Sequence, residues 1–141
     1  MNMQIVRDWM TPDPITITPE TSLPQARRLM LEQKIRRLPV TRHGKLVGIV
    51  TLGDIREAQP SDATTLSVYE TNYLLDRLTA RDFMTANPVT VAPEAPIGEA
   101  ARLMLEHKVG GLPVLEDGIL LGIITETDLC RLLIAEPASE F

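Results

Sequence analysis

Apolar residues at Leu23, Ala26, Leu29 and Met30 fall at helical intervals, and Ile97, Ala100, Leu103 and Met104 repeat those intervals. Each set predicts an amphipathic helix. Ser22 and Pro24 suit the start of the first helix, and Pro96 suits the first residue of the second. Ahead of each helix lies a short apolar stretch, Ile15-Thr16-Ile17 or Val89-Thr90-Val91, fenced by prolines at 14 and 19 or at 88 and 93. Proline removes a ladder donor, which predicts a short strand at a sheet edge. After each helix come two apolar runs. Leu38 to Thr41 and Leu46 to Thr51 are joined through Arg42-His43-Gly44-Lys45, and their counterparts through Glu116-Asp117-Gly118. Such a pair predicts a hairpin with glycine in its turn. The second run of each pair is nearly all apolar, reads as buried, and leads into a helix near Leu52 or Glu126. Each half therefore reads strand, helix, strand, strand, helix.

The two halves are copies. Residues 7–55 overlay residues 81–129 without a gap at a constant offset of 74, and about half of the overlaid positions are identical. That is more than a shared rhythm of elements produces. A unit of about fifty residues buries too little surface to be secure alone. The expectation is one pseudo-symmetric α/β (α+β) domain of two interlocked halves that cover each other's apolar faces, with either copy alone folding poorly. The first repeat is taken as residues 1–60 and the second as 80–135, with a linker at 61–79 and a frayed tail at 136–141. Glu57 to Thr65 reads as a polar loop. Val68, Leu75 and Leu78, with Tyr69 and Tyr73 four apart, predict an amphipathic connecting helix within 66–78.

Composition narrows the function classes. With 44% hydrophobic and 23% charged residues the chain reads as globular. No apolar run is long enough to span a bilayer and the first residues open no signal peptide, so a cytoplasmic protein without a membrane partner is expected. Cys130 is the only cysteine, which excludes an intramolecular disulfide or a cysteine metal cluster. The net charge of -5 argues against nucleic acid as a partner. Charge is unevenly divided: residues 1–56 hold nine Lys/Arg and five Asp/Glu, whereas residues 80–131 hold four and eight. This is either drift on solvated faces or a sign that copy 1 holds an anion or faces copy 2 of a second chain. His43 and His107 fall at non-equivalent positions without metal-ligand spacing, so no metal site is expected. No phosphate loop or nucleophile elbow is present, and Cys130 aligns with Arg56, so no catalytic residues and no enzyme are expected.

Gly48-Ile49-Val50-Thr51-Leu52-Gly53-Asp54 returns as Gly122-Ile123-Ile124-Thr125-Glu126-Thr127-Asp128. In each, a strand delivers Thr and Asp to the first turn of a helix. There the aspartate could accept hydrogen bonds from two neighbouring hydroxyls, as on a ribose, with the threonine hydroxyl and helix N–H groups facing a phosphate. The same spacing is close to a capping box, in which the acid only satisfies the helix start. The residues alone leave both readings open.

The paired pattern of Met-Thr followed by Pro, an apolar strand, a helix, Leu-Pro-Val and Gly-Ile-Val-Thr-x-x-Asp resembles the CBS domain. A tandem pair packed through its sheets forms a Bateman module, and Tyr69 to Leu75 resembles the linker of proteins similar to acetoin utilisation protein B. The resemblance implies a regulatory, non-catalytic module whose clefts between the repeats take an adenosine derivative such as AMP, ADP, ATP or S-adenosylmethionine. No obligatory cofactor is implied. It implies a homodimer, with an unknown regulated protein as a further partner; a ligand-free dimerisation scaffold is the alternative. By position, Asp54 and Asp128 become the ribose acceptors, with Thr51 and Thr125 beside them, and backbone near Ile15-Thr16 and Val89-Thr90 meets the adenine. The phosphate-facing position is Arg36-Arg37 in one copy and Gly110-Gly111 in the other. Two guanidinium groups can fork onto phosphate oxygens, whereas glycines offer only N–H groups and space, so two unequal clefts are expected. Solvated strand-edge arginines, and glycines marking a close backbone approach, are the plainer readings of these positions.

Overall fold

The computed structural model of the chain describes residues 4–59 and 65–135. Most of the expected polar loop and the expected tail fall outside them. In chain order the elements are α1 (Val6–Trp9), β1 (Thr11–Pro12), α2 (Leu23–Gln33), β2 (Arg37–Arg42), β3 (Lys45–Thr51) and α3 (Leu52–Ala58). They continue with α4 (Val68–Arg77), α5 (Ala80–Phe83), β4 (Thr85–Ala86), α6 (Ile97–His107), β5 (Gly111–Glu116), β6 (Ile119–Thr125) and α7 (Glu126–Ala135). The class is mixed α/β, with the helix, hairpin and helix of each copy where the apolar pattern puts them.

Local chemistry explains these boundaries. Ser22 and Gln25 close a reciprocal capping box at the start of α2. Pro96 lies one place earlier than expected, as the N-cap of α6. Both helices end on a lysine in the left-handed region, Lys34 at φ 56° and Lys108 at φ 55°. Each hairpin turns through two consecutive residues with positive φ, His43-Gly44 and Asp117-Gly118. That geometry matches the right-handed twist of the flanking strands.

The expected strands over 15–17 and 89–91 are shorter than the sequence implies. Ile17 alone bridges Val40, and Val91 alone bridges Val114, both in parallel. Ile17 donates its N–H to the Pro39 carbonyl at 3.0 Å and accepts from Thr41 N at 2.9 Å. Pro19 on one side, and Pro39 of the partner strand on the other, lack the N–H that would extend this ladder, as do Pro93 and Pro113 in the other copy.

The chain forms two compact units, and neither is a contiguous copy of the repeat. One comprises the described residues of 15–87 and the other those of 1–14 with 88–141. In the first, β4 pairs with β3, Ala86 opposite Gly48, and α5 inserts Ala80 and Phe83 into a core with Leu23, Ala26, Met30, Leu38, Val50 and Ile55. Leu23 N bonds to Leu78 O and Ala80 N to Thr21 O, fastening the segment that precedes and opens copy 2 to the start of α2. In the second unit, β1 pairs with β6, Pro12 opposite Gly122. Val6 is fully buried in a core with Val91, Ala100, Met104, Leu112, Val114 and Ile124, and Trp9 packs at its margin. Arg7 reaches Glu94 at 2.7 Å and Glu116 at 3.2 Å.

The recurring glycine and methionine serve this exchange. A Cβ on Gly48 would lie 2.5 Å from Met84 Sδ and 3.0 Å from the Thr85 carbonyl. On Gly122 it would lie 2.7 Å from both Met10 Sδ and the Thr11 carbonyl. Only glycine lets the Met-Thr segment lie this close to the strand.

Helix α4 forms as expected, capped by Ser67, but its apolar residues divide differently. Leu75 and, just past the helix end, Leu78 pack on the first core, whereas Val68, Tyr69 and Tyr73 are exposed. Helix α4 lies against α2, and none of its residues is fully buried.

Candidate functional site

The residues singled out in each copy meet at one end of that copy's own hairpin. Arg37 is the register partner of Thr51 at the end of the β2–β3 ladder, and Leu52 N donates to the Arg36 carbonyl at 2.9 Å. Ile17 runs parallel to β2, so Ile15 and Thr16 lie on the N-terminal side of that bridge, the end that also holds Arg37 and Thr51. The other copy repeats this. Gly111 pairs with Thr125, Glu126 N donates to the Gly110 carbonyl at 3.0 Å, and Val89 and Thr90 precede the Val91 bridge.

The threonine and aspartate do close on each other. Thr51 N donates to Asp54 Oδ2 at 2.8 Å and Asp54 N donates to Thr51 Oγ1 at 3.1 Å, a complete capping box at α3. With Leu52 N and Asp54 N both engaged, the helix start offers fewer N–H groups to an anion than the sequence suggests. At α7, Thr125 N donates to Asp128 Oδ2 at 2.9 Å, but the Thr125 hydroxyl turns and donates to the same oxygen at 3.2 Å. Capping accounts for one Asp54 oxygen. Among the described residues no group donates to Asp54 Oδ1.

Charge near the two aspartates differs. Arg36 is exposed, and its guanidinium has no partner among the described residues; Arg37 is half-buried. Gly110 is half-buried and Gly111 buried. Asp128 is buried and takes a hydrogen bond from Arg131 Nη1 at 3.1 Å. Arg131 was not singled out by the sequence. Its signal lies just past the end of the overlay, where position 57 is Glu and position 131 is Arg.

His43 sits in an exposed turn, His107 in the last turn of α6, and Cys130 is an exposed free thiol. Among the described residues no group of three or more His, Cys, Asp or Glu is placed to hold a metal ion. No helix among them is long and apolar enough to cross a membrane.

Two stretches, residues 6–61 and 80–135, match the CBS domain. The chain belongs to the CBS-domain family. Inosine-5'-monophosphate dehydrogenase of Korarchaeum cryptofilum is 40% identical over 118 residues, covering 83% of this chain. The CBS pair spans only 22% of that relative's length. A CBS domain-containing protein of Dictyostelium discoideum is 37% identical over 92% of the chain and 91% of its own length. Among solved structures, a putative acetoin utilization protein, AcuB, from Vibrio cholerae superposes with a TM-score of 0.79 at 32% identity, covering 96% of this chain and all of the other. The CBS domain pair of protein MJ0100, in complex with 5'-methylthioadenosine and S-adenosyl-L-methionine, gives 0.79 at 28% identity over 96% and 100% of the two chains. CBSX2, from Arabidopsis thaliana, in complex with AMP gives 0.79 at 32% identity over 92% and 96%.

Proposed function

We propose that this CBS pair is a regulatory module that binds an adenosine derivative, first of all in the half built around Asp54. The observation that carries the reading is the Asp54 carboxylate: one oxygen closes the cap and the other takes no hydrogen bond from the described residues, at the end of the hairpin that also bears Arg36 and Arg37. Two similar structures support the ligand class, since one holds AMP and the other 5'-methylthioadenosine and S-adenosylmethionine. In this reading Asp54 accepts the ribose hydroxyls, backbone at Ile15-Thr16 meets the adenine, Thr51 lies beside the sugar, and Arg36 or Arg37 neutralises a phosphate. The half with Val89-Thr90, Gly110-Gly111, Thr125 and Asp128 binds the same nucleoside without arginine forks. AMP, ADP, ATP and S-adenosylmethionine are the candidates. Ligand occupancy would be passed to a second copy of the chain or to a regulated protein, in the cytoplasm.

Titration calorimetry with AMP, ATP and S-adenosylmethionine tests this directly, and binding of at least one of them is expected. A second reading has its own observation. The complete capping box at Thr51 and Asp54 is what a ligand-free dimerisation scaffold would also contain. Binding raises stability by mass action, so the absence of a thermal shift with every adenosine ligand would favour the scaffold.

A further inference from the structure

The two aspartates of the repeated motif are in different states. Among the described residues Asp54 accepts one side-chain hydrogen bond, from Thr51 N to Oδ2. Asp128 accepts three: Thr125 N and Thr125 Oγ1 on Oδ2, and Arg131 Nη1 on Oδ1 at 3.1 Å. The Asp128 side chain is 3% exposed while that of Arg131 is 65% exposed. The guanidinium therefore lies on the solvent side of a carboxylate that is otherwise enclosed. At the equivalent place in the other copy stands Glu57, an exposed acid that cannot donate.

A carboxylate has about four lone-pair sites. Asp54 has used one of them and keeps a whole oxygen for a sugar; Asp128 has used three and has both oxygens engaged. We propose that Arg131 is a latch on Asp128, so that a ribose can be accepted in this half only when the arginine leaves its carboxylate. The inference rests on the adenosine reading above and adds a residue that sets which half fills first. The Arg36-Arg37 and Gly110-Gly111 difference acts on phosphate, whereas the latch acts on the sugar and discriminates even against an uncharged nucleoside.

The test uses 5'-methylthioadenosine, whose lack of phosphate removes the arginine forks from the comparison. Calorimetry is run on the full chain carrying Asp54→Asn, which weakens the first half. Adding Arg131→Met, which has no donor, should raise the remaining affinity by about five- to tenfold, the worth of one hydrogen bond to a buried carboxylate reduced by the exposure of its donor. Adding Arg131→Lys instead, which retains a cationic donor, should leave it unchanged. In the otherwise unaltered chain, Glu57→Arg should weaken binding at the Asp54 half. Unchanged or weaker binding in the Arg131→Met chain overturns the latch while leaving the adenosine reading standing. Weaker binding would make Arg131 a ligand contact. No heat with 5'-methylthioadenosine, AMP, ATP or S-adenosylmethionine from the unaltered chain or any variant, all shown folded by circular dichroism, overturns the adenosine reading and the latch with it.

Discussion

One aspartate can serve a helix and a ligand at once because its two oxygens are independent acceptors. Thr51 N occupies Asp54 Oδ2 and, among the described residues, nothing donates to Oδ1, so the cap and the proposed ligand role separate by substitution. Asp54→Asn keeps an amide oxygen for the cap but loses the charge, and should weaken binding of AMP by about ten- to a hundredfold in calorimetry with little change in melting temperature. Asp54→Ala should lose both, with a further stability cost of about 1 kcal/mol from the broken cap. The arginines separate in another way. Replacing Arg36 and Arg37 together by Gln should reduce affinity for AMP while leaving that for 5'-methylthioadenosine nearly unchanged, because only the former carries a phosphate for a guanidinium to fork. That Thr51 pairs with Asp54, and Thr125 with Asp128, was legible from spacing alone. The hydroxyl rotation that makes Thr125 a donor where Thr51 is an acceptor was not, since it depends on what surrounds each oxygen.

Elements with a sustained period were readable, and elements of two to four residues were not. The apolar spacing of α2 and α6 repeats often enough to define a face, and the nearly continuous apolar runs of β3 and β6 are long enough to mark buried strands. Thr11–Pro12, Thr85–Ala86, Val6–Trp9 and Ala80–Phe83 complete no period, and they exist as strands and helices because tertiary partners receive them. Gly122 is one such partner's condition. Gly122→Ala sets a Cβ 2.7 Å from the Thr11 carbonyl, and backbone cannot yield as a methionine side chain can. It should cost about 1–3 kcal/mol in urea unfolding, as overpacking does. Gly48→Ala should cost less, because its shortest contact is with the flexible Met84 side chain and the nearest carbonyl is at 3.0 Å. For α4 the periodicity was legible but the outcome was not. Tyr69 and Tyr73 share helical spacing yet stand exposed, as Leu74 does, whereas Leu75 packs on the first core.

For the whole molecule, the repeat in the sequence and the unit in space are out of register. A fragment of residues 1–60 holds a complete copy as written but lacks Leu75, Leu78, Ala80 and Phe83, all of which pack on that copy's core. A fragment of residues 15–87 contains them. Circular dichroism and amide exchange should therefore show the second fragment more structured and better protected than the first; equal behaviour would argue against the exchange of segments. The sequence by itself determined the class, the duplication, the long helices and hairpins and the family, because each is written in local periodicity or in residues repeated at a fixed offset. Only the tertiary structure decided which copy the Met-Thr segments complete and which aspartate an arginine covers. Both depend on contacts between residues far apart in the chain or on side-chain rotation, and neither leaves a period in the sequence.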